Sequence, residues 1–389
     1  GKSVEFTIDR KAFLTALDQA AKAQSPLQEI LKMILCEVDP VHQEVVLTAT
    51  NLELTIQSHA SAGLFIERPG KCLIHPVIRS FLAKMDDDLV SVSDDGRILE
   101  VRGLCAGCAV CSVPAEDFPN IQIEYPNPTI RISGLRRLAD HTLFSASSNQ
   151  NGQPEVQGIR LCFTPDVSEA FSSDGKKLSA AQLHDCSDGD LDVFIRKKNL
   201  KILRELVGNR ESVYAGIVKK KSGSYLLVMN DDFAAYTALL HILPPDFKRM
   251  FSAVSFRYGI RVASSSLWEA AINAAGLSRA AENRCISLQI LPDGLEISST
   301  GKAGRYKGIV AGTVMDWSTQ DFSGKTFFYD PFSLLDFLNL NRRGDLILSF
   351  DANGILSITT EDQSQKFLLV PMSGKSARTA KASKRSKAA

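Results

Sequence analysis

Short runs of alternating apolar and polar residues recur along the chain. At several of them the period changes abruptly from two to about 3.6. The change falls within Val4–Leu14, Thr129–Leu138 and Tyr258–Trp268, whose starts lie 125 and 129 residues apart. A second set of strand-to-helix junctions follows in step at Cys72–Leu82, Val193–Leu203 and Thr326–Leu335, with starts 121 and 133 residues apart. Two landmarks repeating in register predict one supersecondary unit used three times. Between the junctions lie strand-like stretches such as 45–56, where Leu52, Leu54 and Ile56 alternate with polar neighbours. Hairpin turns are expected at Asp94-Asp95-Gly96, Ser222-Gly223-Ser224 and Asn353-Gly354. Each unit thus reads β-α-βββ-α-βββ or close to it. The fold class is α+β, with domains over 1–125, 126–253 and 254–372 and a tail over 373–389. The junctions fall at the proline-rich stretch 126–128 and the polar stretch 252–256.

Composition is ordinary for a soluble globular protein: 389 residues, 44% hydrophobic and 23% charged. No apolar run approaches the ~18 residues of a membrane helix, and no signal-peptide pattern opens the sequence, so a cytoplasmic protein without a membrane partner is expected. The formal charge of +1 is more informative when divided. The tail carries Lys375, Arg378, Lys381, Lys384, Arg385 and Lys387 without an acid, leaving the rest at −5. Its Ala/Ser/Lys composition predicts disorder. Six expected helices, at 10–22, 76–84, 133–145, 196–210, 264–279 and 330–343, hold sixteen basic residues against six acids. Helices at +10 inside a body at −5 predict a surface that attracts phosphate. No aromatic residues interleave with these cations, which favours backbone contact over base stacking.

Candidate chemistry is sparse. Eight cysteines are dispersed as expected for reduced thiols, apart from Cys105, Cys108 and Cys111. That spacing resembles part of an iron–sulfur ligand set, but 101–113 also reads as one strand, which would aim the thiols to opposite faces. The six histidines are isolated. Gly374-Lys375-Ser376 lacks the first glycine of a phosphate loop, and Asp86-Asp87-Asp88 reads as a turn after a helix. A binding protein with no metal and no cofactor is the expectation. A metal-dependent DNA repair enzyme built on the cysteine cluster is the alternative of another class.

Five ordered segments then carry a resemblance: 48–54 (Thr-Ala-Thr-Asn-Leu-Glu-Leu), 113–120 (Val-Pro-Ala-Glu-Asp-Phe-Pro-Asn), 173–178 (Ser-Asp-Gly-Lys-Lys-Leu), 245–249 (Pro-Asp-Phe-Lys-Arg) and 368–372 (Leu-Leu-Val-Pro-Met). Over residues 4–372 the chain resembles the bacterial DNA polymerase III beta subunit, the beta sliding clamp family. The resemblance implies three tandem clamp domains, each with two helices on the inner face and antiparallel sheets outside. It further implies half of a ring, closed as a head-to-tail homodimer around duplex DNA. Such a protein is a non-catalytic processivity factor; its partners are DNA, the polymerase, a clamp loader and repair proteins that dock short linear peptides.

Carried over residue by residue, the resemblance places a peptide-binding cleft at Val156, Ser173, Gly175, Lys176, Lys177 and Leu178. The same cleft includes Pro245, Arg249, Met250, Leu368, Val370 and Met372. Together with the charge pattern it places DNA contacts at Lys22, Arg79, Arg136, Arg137, Lys197, Lys198 and Lys201. Arg204, Arg279, Arg342 and Arg343 complete that set. The dimer interface is expected at Cys108, Gly276 and Leu277. The family usually has His-Arg at Lys176-Lys177, a basic residue at Ser25 and larger side chains at Cys108 and Gly276. A clamp-like regulatory protein that binds replication partners without a stable ring is therefore a second reading.

Overall fold

The structure, a computed structural model, describes residues 3–127, 129–149, 151–210, 212–278, 284–319 and 321–372. The first repeat opens with β1 (Val4–Asp9), α1 (Arg10–Ala21), β2 (Ile34–Asp39), β3 (Glu44–Thr50) and β4 (Leu54–Ala60). It continues through β5 (Phe65–Arg68), β6 (Lys71–Ile74) and α2 (Pro76–Ala83) to β7 (Leu89–Asp94), β8 (Ile98–Arg102) and β9 (Gly107–Cys111). The second comprises β10 (Ile130–Ile132), α3 (Leu135–Asp140), β11 (Gly158–Phe163), β12 (Val167–Ser173), β13 (Lys177–His184) and β14 (Leu191–Arg196). It closes with α4 (Lys197–Val207), β15 (Val213–Lys220), β16 (Gly223–Met229), β17 (Phe233–Ala238) and the short α5 (Phe247–Ser252). The third runs β18 (Tyr258–Ala263), α6 (Ser264–Ser278), β19 (Ile286–Leu291), β20 (Gly294–Gly301) and β21 (Gly304–Val314). It ends β22 (Thr326–Tyr329), α7 (Pro331–Leu340), β23 (Asp345–Phe350), β24 (Leu356–Thr360) and β25 (Gln365–Leu369).

Local chemistry sets the helix starts. The Asp9 carboxylate accepts from the Ala12 N–H at 2.8 Å and caps α1. Asp330 does the same for α7 through the Phe332 N–H, with Pro331 as first helical residue. His75 and Pro76 open α2 in the same manner. The hairpin glycines Gly96, Gly223 and Gly354 all have positive φ (91°, 134° and 91°), which a side chain would resist.

Three expectations need correcting. The unit holds four strands, or five in the first repeat, between its helices, because the strand that runs straight into the second helix adds to the three predicted. Leu52 is not a strand residue: it sits at φ 76° in a turn, where Asn51 Oδ1 accepts from the N–H groups of Glu53 and Leu54. Residues 101–113 are not one strand either, since a turn at Gly103–Ala106 separates β8 from β9 and carries Cys105.

The chain divides into two compact units that cut through the middle repeat. One comprises 1–136, 187–193 and 198–241; the other comprises 137–186, 194–197 and 242–389. Sheets that cross the repeat boundaries explain the cut. In the first unit an eight-stranded sheet runs β10-β15-β16-β17-β4-β3-β2-β6, joining first and second repeats where β4 pairs antiparallel with β17 from Leu54↔Thr237 to Ser58↔Phe233. A five-stranded sheet, β5-β1-β7-β8-β9, completes that unit. In the second unit β13 pairs with β25 from Lys177↔Leu369 to Ala181↔Gln365, joining second and third repeats in a sheet that ends at β22. Each unit has an aromatic core: Phe6 meets Phe13 edge-on at 5.8 Å in the first, and Phe337 stacks on Phe367 at 5.4 Å in the second.

Candidate functional site

All twelve residues expected to form the cleft lie in the second unit. The turn between β12 and β13 is built by Asp174, whose carboxylate accepts from the Lys176 and Lys177 N–H groups at 2.8 and 3.0 Å. Ser173 Oγ donates to the Lys177 carbonyl at 2.9 Å and accepts from the Gly175 N–H at 3.1 Å, and Gly175 makes the turn at φ 90°. The Lys176 carbonyl then accepts from the Val370 N–H at 2.9 Å, which ties this turn to the end of β25. Leu178 faces Leu368 across the paired strands, 4% and 6% exposed. These form a floor. Met250 and Val370 are 37% and 44% exposed, and Pro245 and Met372 are half-buried. The Met372 N–H donates to the Phe328 carbonyl at 2.8 Å, which fixes the last described residue.

α5 carries Arg249 and Met250. Asp246 caps it by accepting from the Arg249 N–H at 3.1 Å, and Phe247 stacks on Phe171 of β12 with centroids 5.7 Å apart. Val156, half-buried at the end of a 3-10 turn, is held by its carbonyl accepting from the Ser147 N–H at 2.6 Å. Lys177 is turned inward, 3.7 Å from the Asp336 carboxylate of α7. Burial pushes the Asp336 carboxyl up from its usual range, and the Lys177 ammonium opposes that. Lys177 is thereby committed to the protein, leaving Lys176 and Arg249 exposed.

The predicted DNA contacts differ in what they already do. Arg79 lies 3.4 Å from Asp18 of α1, Lys198 pairs with Glu53 at 2.8 Å, and Arg204 lies 3.8 Å from Glu205. Lys197 donates to the Ala146 carbonyl and to Ser148 Oγ. Arg342 stacks 4.2 Å over the Trp268 ring. Lys22 is half-exposed, and Arg136, Arg137, Lys201 and Arg343 are exposed. Arg279 and the basic tail lie outside the described residues. Arg10, counted among the helix cations, is a correction: it is 8% exposed and donates to the carbonyls of Asp87 and Leu82 at 2.6 and 3.0 Å. It spans from the start of α1 to the end of α2, and no phosphate can reach it.

Beside Arg137, the partly buried His141 has no partner for Nδ1. Burial, and then the Arg137 guanidinium, lower its pKa to about 4, with Asp140 opposing. An unfolded histidine takes up its proton near pH 6.5 while the folded one resists until about 4. Stability should therefore be whole above pH 6.5 and fall as pH drops toward 4, by up to about 3 kcal/mol. Thermal melts at pH 7.5 and pH 5 will show this loss, and His141→Gln should shrink the difference.

Of the interface candidates Gly276 is exposed, while Cys108 and Leu277 are half-buried. Cys108 lies on β9, the end strand of its sheet, while Gly276 and Leu277 lie in the last turn of α6. A Cβ on Gly276 would meet no atom within 4 Å. Among the described residues no three His, Cys, Asp or Glu side chains gather where they could hold a metal ion. No helix of the described residues is long and apolar enough to cross a membrane.

Several known proteins are similar to the chain in sequence and in fold. No protein-family model matches the chain. Its sequence is 24% identical over 305 residues to the beta sliding clamp of Streptococcus pneumoniae, covering 74% of this chain and 78% of that protein. It is 22% identical to the beta sliding clamp of Vibrio cholerae, over 95% of this chain and all of that one. The fold matches the crystal structure of the S. pneumoniae DNA polymerase III beta chain with a TM-score of 0.84 over 95% of this chain and 100% of that one, at 19% identity. A Pseudomonas aeruginosa sliding clamp bound to griselimycin matches with a TM-score of 0.80 over 95% of this chain and 100% of that one, at 21% identity. In sequence and in fold the chain is thus similar to beta sliding clamps. Two surface features escaped the sequence reading: the open sides of β9 and of 304–311 in β21 among the described residues, and a cation, Lys366, set into the sheet beside the expected cleft. Edges are invisible until strand order is known, and Lys366 reads as the polar half of an alternating strand.

Proposed function

We propose that this chain is a sliding clamp, a non-catalytic processivity factor that closes head-to-tail with a second copy around duplex DNA. Its three tandem domains would be 1–125, 126–253 and 254–372. Through the cleft it would tether polymerase, clamp loader and repair proteins by short linear peptides, in the cytoplasm at the nucleoid.

One observation carries this reading. At both internal junctions the third strand after a repeat's first helix pairs with the last strand of the next repeat: β4 with β17, and β13 with β25. Continued once more, the rule requires β21 to pair with β9. Among the described residues β21 pairs over Gly304–Ala311 with β20 alone, and β9 pairs with β8 alone. Each internal junction uses five paired residues, and β9 is five residues long. Two open edges of complementary kind on one chain are a liability that pairing with another copy removes. Such a contact is heterologous and closes a ring of two. Exposed Lys201, Arg136, Arg137 and Arg343 support non-specific phosphate contact, which lets the ring slide.

Small side chains at Cys108 and Gly276 bury less area and favour a second reading, a clamp relative without a stable ring. The mass in solution separates the two. Light scattering at micromolar concentration should give twice 42.5 kDa. A monomer there would overturn the ring in favour of the second reading.

A further inference from the structure

The cleft has a neighbour on the same sheet face. The registers Ser173↔Leu178↔Leu368 and Phe171↔Ala180↔Lys366 run across β12, β13 and β25 two residues apart, so both rows point the same way. The first row is the cleft floor. The second, with Gln182, Phe251 and Ser364, lines a groove of about 210 Å³. α5 borders both, offering Met250 to the cleft and Phe251 to the groove. Lys248, at the groove's edge, is paired with Glu169 at 3.0 Å.

Lys366 is the unusual member. Its ammonium lies 5.1 Å over the Phe251 ring, half-buried, and among the described residues no carboxylate pairs with it. Burial alone pushes its pKa below the ordinary lysine value. A cation that has lost water without gaining a counter-charge is stabilised by any anion that arrives. Phe171, Ala180 and Phe251 give the groove an apolar side, and its one carboxylate, Glu169, is already matched by Lys248, which leaves Lys366 as the cation open to a carboxylate on a short side chain.

We infer that the groove receives an acidic side chain of the same linear peptide whose apolar residues enter the cleft. This rests on the cleft reading above. Rows two residues apart on a strand are separated by about 6.6 Å. An extended peptide advances about 3.3–3.6 Å per residue, so the acid belongs roughly two to four residues from the apolar anchor over Leu368.

The test uses the full chain and labelled synthetic peptides with a Leu-Phe anchor, carrying a single Glu at two, three or four residues from it, each beside its Gln counterpart. Fluorescence anisotropy at low salt should show one Glu peptide binding roughly five- to tenfold tighter than its Gln partner. Lys366→Gln should bring the pair to equal affinity, and Lys366→Arg should keep the difference. Equal binding of Glu and Gln peptides to the native chain, or a difference that survives Lys366→Gln, overturns the groove and leaves the cleft standing. Failure of every peptide to bind overturns the cleft reading and the groove with it.

Discussion

Replacing Met250 and Val370 together by Asp should abolish peptide capture while leaving the melting temperature nearly unchanged. Both side chains are substantially exposed, at 37% and 44%, so the unliganded protein loses little when they become polar. Exposed substitutions of this kind usually shift stability by about 0.5 kcal/mol or less. Binding is affected twice over. Each apolar side chain forfeits roughly 1.5–3 kcal/mol of burial against the ligand, and each new carboxylate must be desolvated when an apolar residue arrives. A loss of about 100-fold or more in affinity follows. Leu178→Asp with Met372→Asp would also end capture, but for a mixed reason. Leu178 is 4% exposed and packed in the strand pair with Leu368, so a charge there unfolds the local sheet. Anisotropy with a labelled apolar peptide, beside a thermal melt of each variant, separates the cases. Undiminished binding by the Met250/Val370 variant would remove the cleft assignment.

The same contrast shows what a sequence can and cannot display. Six helix starts were legible because each follows a strand whose alternation gives way to a 3.6-residue stripe, as at Asp9-Arg10 and Asp330-Pro331, whereas α5, which no strand leads into, and the early end of α3 at Asp140 were not. Hairpins were legible at Gly96, Gly223 and Gly354 because positive φ demands that residue. Leu52 misled for the converse reason: a large apolar residue at positive φ is held there by Asn51, and alternation alone cannot reveal such a turn. The division of labour among cations was also hidden. Arg10, Lys198 and Lys201 are equivalent letters on helices, yet one is buried on two carbonyls, one is paired with Glu53 and one is exposed. Only residues distant in sequence decide between these fates: Arg10 and Asp87 are 77 positions apart.

That hidden division makes a paired prediction. Arg10→Ala should lower stability by about 3 kcal/mol, because two carbonyls lose their charged donor and a cavity replaces the side chain between α1 and the end of α2. A drop of roughly 5–10 °C in melting temperature is the expected sign. Its effect on retention of closed circular DNA should be no larger than that instability explains, and it should leave the salt dependence of DNA binding unaltered. Lys201→Ala should behave oppositely. The side chain is exposed with no carboxylate partner among the described residues, so the melt should stay within about 0.5 kcal/mol of the parent. DNA binding should weaken, and the slope of log affinity against log salt should flatten by about 0.9 per chain, roughly 1.8 for the proposed ring of two, since each copy neutralises one phosphate fewer and its counterion is no longer released. A flattened slope in Arg10→Ala would mean that this arginine reaches phosphate after all. An unaltered slope in Lys201→Ala, with binding intact, would mean that the basic helices do not face DNA, and the ring would lose its electrostatic lining.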